Sequence, residues 1–249
     1  MNYQKDRDFL TDHVRQQTDF SRTDQSLGLP MPPVQKAPKE GQKPISLPDW
    51  HGVEKDLPLS ALIAARKSVR KYRNTALLLE ELSYLLWATQ GVRQTTGAGT
   101  VLRNAPSAGN RQSLETYLAV FRVQGLEPGV YRYLPIEHAL VFEHTVENME
   151  SALNHACLEQ PFAGQAAVTF LWTTLPYRTE WRYADASYKV IAVDAGHVCQ
   201  NLYLAATAID CGTCAIGAYN QTAANAFLQV DPDEEFVVYI APVGKKIHE

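Results

Sequence analysis

Cysteine is scarce in this chain, with four in 249 residues: Cys157, Cys199, Cys211 and Cys214. That number cannot staple a chain of this length, so a disulfide scaffold is excluded. Only Cys211-Gly212-Thr213-Cys214 has a spacing that invites a redox or metal reading. A structural zinc site wants two more good ligands, and no second cysteine pair or nearby histidine pair supplies them. The motif reads instead as two small buried residues beside a turn, and no metal is expected. Long apolar runs are also missing. Nothing approaches the roughly 18 residues of a membrane helix, and the opening Met1-Asn2-Tyr3-Gln4-Lys5-Asp6 has no apolar signal core, so a cytoplasmic protein without a membrane partner is expected. Positive charge is not in excess: a formal net charge of −4 gives nucleic acid no general electrostatic hold. No G-x-G-x-x-G follows a strand pattern, and neither a Walker loop nor a G-x-S-x-G elbow is present, which weakens dinucleotide-fold, P-loop and hydrolase readings. Small-molecule chemistry remains, in a chain whose 45% hydrophobic composition can fill a full core.

What is present begins with Ala65-Arg66-Lys67-Ser68-Val69-Arg70-Lys71-Tyr72, four cations and a hydroxyl at the end of a short apolar helix. Arginine gives planar, multiply donating recognition of phosphate, lysine a point charge and serine a neutral donor. If the chain is extended there, Ser68, Arg70 and Tyr72 share one side. A charge run is by default a solvated face, so an anion site needs support from elsewhere in the chain.

Residues 1–56 are polar and carry Pro30, Pro32, Pro33, Pro38 and Pro44. They are expected to form an extended arm with a short helix near Phe9 to Gln17. The domain, residues 57–249, opens with a helix in which Leu59, Leu62, Ile63 and Arg66 recur at helical spacing behind Pro58. A second helix carries Leu79, Leu82, Leu85 and Leu86, with Glu80 and Glu81 in its first turn and Gly91 as its stop. The loop Arg103 to Gln112 is small and polar; Ser107, Asn110 and Gln112 offer hydrogen bonds and the small residues allow close backbone approach to a ligand. Strands are expected at Tyr117 to Val123, Gly129 to Leu134, Ala139 to Glu143 and Ala166 to Thr173, with a helix over Glu147 to Leu158. A helix of about 22 residues, Tyr188 to Asp210, follows; it is apolar or small on nearly every face, which demands burial in a core or against another subunit. His197 within it is expected to be a core histidine. A turn and short strand at Gly212 to Ala218, a helix near Thr222 to Leu228, a strand Glu235 to Ile240 and a glycine turn carrying Lys245 and Lys246 close the chain. Helices and strands interleave without a strict βαβ repeat, so an α+β fold with a mixed sheet is expected.

Four segments, in this order, resemble the FMN-dependent nitroreductase-like family, and within it the branch of SagB-type thiazoline and oxazoline dehydrogenases. They are Arg66 to Tyr72, Ala105 to Glu115, Asp194-Ala195-Gly196-His197-Val198-Cys199-Gln200-Asn201-Leu202, and Ala215-Ile216-Gly217-Ala218 together with Pro242 to Lys246. The resemblance implies a homodimer with a mainly antiparallel central sheet flanked by helices, a long central helix at the dimer interface and FMN at that interface. By that likeness Arg66, Lys67, Ser68 and Arg70 would hold the FMN phosphate and ribityl chain, with Lys245 or Lys246 adding charge. Pro106, Ser107, Ala108, Asn110 and Gln112 would edge the flavin from the other subunit, and Ile216, Gly217 and Ala218 would lie against its ring. Hydride would pass through the flavin from NAD(P)H to a small-molecule acceptor, beside a stacking face lined by Trp181, Tyr183 and Tyr219. In the azoline-oxidising enzymes a Lys-Tyr pair before the central helix serves proton abstraction; Arg182-Tyr183 stands in the corresponding place. Arginine stays protonated and cannot act as that base, although Tyr183 could relay a proton. A dehydrogenase acting on a heterocyclic or peptide-derived substrate and a flavin-binding protein without turnover are the other readings.

Overall fold

The computed structural model describes Tyr3, residues 7–96 and residues 100–247. Seven strands form the central sheet: β1 (Ile45–Ser46), β4 (Leu114–Val120), β5 (Gly129–Leu134), β6 (Ala139–His144), β7 (Val168–Thr174), β8 (Cys211–Thr213) and β9 (Phe236–Lys245), in the order β1-β6-β5-β4-β7-β9-β8. Every ladder between these strands is antiparallel, and parallel bridges occur at Ser68–Thr213 and Leu77–Val123. A separate two-stranded ribbon pairs β2 (Val92–Thr95) with β3 (Val101–Arg103). The fold is α+β with a mainly antiparallel sheet, as expected.

Strand side chains alternate between faces, and the two faces carry different helices. Leu118, Val120, Phe170 and Trp172 point to the side covered by α3 (Leu79–Gln90) and α7 (Ser187–Ala208). Tyr117, Ala119 and Leu171 point to the side covered by α4 (Met149–Ala156), α5 (Phe162–Gln165) and α8 (Gln221–Leu228). A bulge in the β7–β9 pairing, opposite Trp172 and Thr173, breaks the alternation. Val238 and Tyr239 consequently both turn toward the α7 side. Helix α3 starts where the Glu81 carboxylate accepts the Leu78 N–H (2.9 Å), and it stops at Gly91, where a Cβ would lie 2.6 Å from the Trp87 carbonyl.

Two expectations for α7 and the C-terminus are corrected. Within the single chain α7 is buried on one face, and Ala192, Val193, Gly196, His197 and Gln200 recur every three or four residues on the other, so His197 is not in the core of its own chain. Pro242 to Lys245 is not a turn but the end of β9, paired with β7 and β8.

The described part of the arm before Leu57 is held to the domain at several points. Helix α1 (His13–Gln17) and a short turn at Phe20–Arg22 precede an extended stretch whose carbonyls are taken by buried arginines. Arg103 Nη2 donates to the Val34 carbonyl (2.6 Å), and Arg132 donates to those of Lys36 and Ala37 (2.7 and 3.0 Å). These cations are balanced by Glu115 and Glu143: Arg178 Nη2 lies 2.6 Å from Glu115 and Arg132 Nε 2.8 Å from Glu143. Arg132 and Arg178 are ion-paired at this depth, whereas Arg103 is held by hydrogen bonds to Gln90 and to the Leu114 and Val34 carbonyls (3.1, 3.2 and 2.6 Å), with its Nε unpartnered. Strand β1 then joins the sheet edge, Leu47 enters the core, and Trp50 stacks on Trp87 at 3.8 Å. The remaining helices, α2 (Leu59–Ala65) and α6 (Tyr177–Tyr183), frame the site described below. No helix among the described residues is long and apolar enough to cross a membrane.

A hydrogen-bonded chain fixes the arm near Pro48. Tyr133 Oη meets His138 Nδ1 (2.7 Å), His138 Nε2 meets Ser83 Oγ (2.8 Å), and Ser83 donates to the Pro48 carbonyl (2.6 Å). Burial holds His138 below the ordinary histidine value of 6.5. A histidine depressed in the folded state binds its proton more readily when unfolded, so its contribution is complete above about pH 6.5 and is lost as pH falls below it. Between about pH 7.5 and 5.5 the native protein should lose more unfolding free energy than His138→Gln, which cannot titrate; urea unfolding at the two pH values measures the difference.

Candidate functional site

Helix α2 ends at Arg66, whose N–H still reaches the Leu62 carbonyl (3.0 Å), and the chain then runs extended beside β8 and β9. Val69 N–H donates to the Thr213 carbonyl and Arg73 N–H to that of Lys245, both at 2.9 Å. This approach is possible because the two strands present glycine to it. A Cβ on Gly212 would lie 2.5 Å from Val69 Cβ, and one on Gly244 would lie 2.8 Å from Tyr72 Cβ. Tyr72 folds under the segment and donates to the Val69 carbonyl (2.7 Å); burial, with the Cys214 thiol and Tyr203 nearby, pushes its hydroxyl up, so it stays a donor.

The segment so placed walls a hollow of about 690 Å³ lined by Lys67, Ser68, Arg70, Lys71 and Lys246. Among the described residues none of Arg66, Lys67, Arg70 and Lys71 is within ion-pair distance of a carboxylate. Arg66 lies over the Tyr203 ring (5.4 Å) and Arg70 over Phe162 (5.9 Å). Cations gathered without counter-charge around one hollow suit an anionic group. Of the two candidate C-terminal lysines only Lys246 lines it, 3.5 Å from Asp210. Lys245, pointing the other way along the strand, is ion-paired with Glu81 and donates to the Ile209 carbonyl (3.4 Å).

Tyr203 of α7 ties Ser68 to the stretch that follows β8. Its hydroxyl lies 3.1 Å from Ser68 Oγ and accepts the Ala215 N–H at 2.8 Å. The next residue, Ile216, is buried and donates its N–H to the Ile240 carbonyl (2.8 Å), which pins the following Gly217 at the rim of an apolar hollow of about 480 Å³. Gly196, Tyr219, Val238 and Tyr239 line it too, and no charged side chain does. A Cβ on either Gly196 or Gly217 would meet nothing within 4 Å, so both peptides border open space that a side chain would fill. Ala218 turns away, its carbonyl accepting from Gln160 Nε2 (2.9 Å).

The second group of expected residues is assembled elsewhere. Asp194 of α7 accepts the Ala108 N–H at 3.1 and 3.2 Å and is hydrogen-bonded by Ser107. Burial raises its carboxyl above the usual range, and those hydrogen bonds oppose the shift. Ser107 Oγ accepts the Gln112 N–H (2.9 Å), Gln112 Nε2 donates to Asn110 (2.8 Å), and Pro106 lies beside Asp194. Gly109 adopts φ +56°, and a Cβ there would collide with Arg182 and the Tyr183 hydroxyl. Arg182 and Tyr183 therefore belong with the Pro106 to Gln112 loop, and neither lines either hollow. Trp181 is buried, with its Nε1–H on the Leu29 carbonyl (3.1 Å) and Arg111 over its ring (5.0 Å); of the three expected stacking aromatics only Tyr219 faces open space. The four cysteines are free and buried, and burial pushes Cys157, Cys199 and Cys211 up to about 12, which removes thiolate chemistry at neutral pH.

Tyr203, Asp194 and Gly212 were not singled out by sequence. The only available signal for Tyr203 was that it is one of two tyrosines in a largely small and aliphatic helix, which does not say what its hydroxyl meets.

The sequence model of the Nitroreductase family matches residues 63–245. A protein of Methanocaldococcus jannaschii, provisionally named a nitroreductase, is 35% identical over 203 residues, covering 82% of this chain and 96% of its own. Crystal structures provisionally named nitroreductases from Anabaena variabilis and Ralstonia eutropha superpose with TM-scores of 0.71 and 0.68, at 29% and 25% identity, over 86% of this chain in each case. The match takes in 95% of the Ralstonia chain but 43% of the Anabaena chain, so this protein spans less than half the length of the latter.

Two glycine substitutions should separate architecture from open space. Gly244→Ala must displace Tyr72 and should cost about 1–3 kcal/mol of stability in urea unfolding. Gly217→Val should leave stability within about 0.5 kcal/mol while filling the apolar hollow. Asp194→Ala strands the Ala108 N–H and should cost about 1–3 kcal/mol.

Proposed function

Because the chain belongs to the nitroreductase family, we propose that it is an FMN-dependent oxidoreductase that works as a homodimer and passes hydride from NAD(P)H to a small organic acceptor. The observation that carries the reading is the presence, in one chain, of a cationic hollow whose Lys67, Arg70 and Lys71 have no carboxylate partner among the described residues and of a charge-free apolar one, with the Tyr203 hydroxyl tying Ser68 of the first to the Ala215 N–H two residues before Gly217 of the second. FMN has that polarity: a dianionic phosphate at one end, a polyhydroxyl chain, and a flat ring system at the other. Both hollows fall in the volume range of small-molecule sites. Bound there, FMN supplies two-electron chemistry through its N5.

The protein's part is binding, orientation and exclusion of water. Arg66, Lys67, Arg70 and Lys246 would hold the phosphate, with Ser68 and Tyr203 offering hydroxyls to the chain that follows it. Lys245 is committed to Glu81 and has no part in this. Ile216 would fix the Gly217 peptide against the ring edge, and the bulge residues Val238 and Tyr239 would exclude water from its face. The single chain leaves Leu59 and Ile63 of α2 and Tyr188 and Val193 of α7 exposed, an apolar surface that supports a second subunit there. Across that contact the partner would bring its own loop of Pro106 to Gln112 and its own Arg182 and Tyr183 to the ring. Arg182 would then be a fixed cation beside a flavin and Tyr183 the only member of the pair able to exchange a proton; neither is a general base of the lysine kind.

The purified protein should show flavin bands in its visible spectrum, or take them up with added FMN, and NADH or NADPH should bleach them. The double variant Arg66→Ala/Arg70→Ala should fold and bind FMN at least about 100-fold more weakly, since each cation-assisted hydrogen bond to phosphate is worth roughly 1.5–3 kcal/mol. A colourless protein that ignores added FMN, or a folded double variant that keeps its flavin, would overturn the assignment.

A further inference from the structure

The apolar hollow has one lining residue that comes from far outside the domain's own elements. It is Phe9, near the start of the arm. The arm is carried there by a series of fixed contacts along α6 and the segment after it. Trp181 Nε1–H donates to the Leu29 carbonyl (3.1 Å), the Gln25 N–H donates to the Trp181 carbonyl (2.9 Å), and Tyr177 Oη donates to Asp24 (2.7 Å). Closer to the hollow, the Arg15 guanidinium lies over the Tyr183 ring at 5.6 Å. Beyond Arg15 the chain brings Phe9 to the same wall as Tyr188, Ala192, Gly217 and Tyr219.

Phe9 keeps 53% of its surface exposed, so it is not a core residue. An aromatic ring left that open gains little from folding, and its position gives it another use. It adds a flat apolar wall to a hollow whose remaining lining is aliphatic, aromatic or uncharged polar. An ionic ligand entering such a space would lose its hydration without gaining a counter-charge.

We propose that Phe9 is a specificity-determining residue, closing one side of the apolar hollow and selecting small uncharged planar acceptors over larger ones. The proposal rests on the hollow being the reaction site of the flavoenzyme proposed above, but the position of Phe9 can be tested without flavin or turnover. Full-length native protein, Phe9→Ala and Phe9→Trp would be titrated calorimetrically with benzamide and with anthracene-9-carboxamide, uncharged ligands differing in ring number, with and without saturating FMN. Phe9→Ala should improve the affinity for the three-ring ligand relative to the one-ring ligand by about tenfold, the usual scale for a change of pocket size. Phe9→Trp should move the ratio the other way. Because the ring is largely exposed, both variants should keep the native melting temperature. An unchanged ratio in both variants, or equal weakening of both ligands, would overturn the proposal. Should native protein take up no FMN, the flavin assignment fails, and the ratio on flavin-free protein still decides the role of Phe9.

Discussion

The site depends on two absent side chains. Gly212 and Gly244 let the Ser68 to Tyr72 segment lie flush against β8 and β9, at distances where any Cβ would strike Val69 or Tyr72. With the segment held there, two backbone hydrogen bonds from Val69 and Arg73 set its register and Tyr72 is trapped beneath it. Its cations then project into a hollow that contains no carboxylate to neutralise them apart from the Lys246 partner Asp210. The same placement brings Ser68 to Tyr203, and Tyr203 to the Ala215 N–H, so one phenol on the long helix ties the cationic segment to the stretch that leads to Gly217.

A second, independent device holds the arm. Extended backbone without a sheet partner needs acceptors and donors from elsewhere, and here Arg103 and Arg132 reach up through the outer strands to take its carbonyls. Glu115 and Glu143 pair with Arg132, and Glu115 also with Arg178, which offsets part of the cluster's positive charge. The cost of burying it is offset only while the arm stays in place, which makes the arm part of the domain's stability and not an appendage. The arm in turn carries Phe9 to the apolar hollow, linking the charged face of the sheet to the chemistry on the other side.

Much of this was legible in the sequence because local periodicity and composition determine it. The Leu79 to Leu86 stripe, the Gly129 to Leu134 and Ala139 to Glu143 hairpin and the 22-residue helix each follow from spacing alone. The Arg66 to Lys71 cluster was recognisable from residue type. The rest depends on contacts between residues far apart in the chain. Whether Lys245 or Lys246 faces the hollow is decided by β-strand parity, and the glycine between them and Pro242 suggested a turn where the strand continues. His197 looked like a core residue because its neighbours are apolar, but an apolar helix with one open face gives the same pattern. Proline spacing in the arm indicated an extended chain; it could not indicate that buried arginines 60 to 100 residues further on would receive it.

The central claim is that one ligand spans both hollows with its phosphate among Arg66, Lys67, Arg70 and Lys246. Calorimetric titration with FMN and with riboflavin, which has the same ring and chain but no phosphate, tests it most directly. FMN should bind at least about 100-fold more tightly than riboflavin, and the gap should narrow as salt screens the cations. Equal affinity for the two, unaffected by salt, would contradict the account.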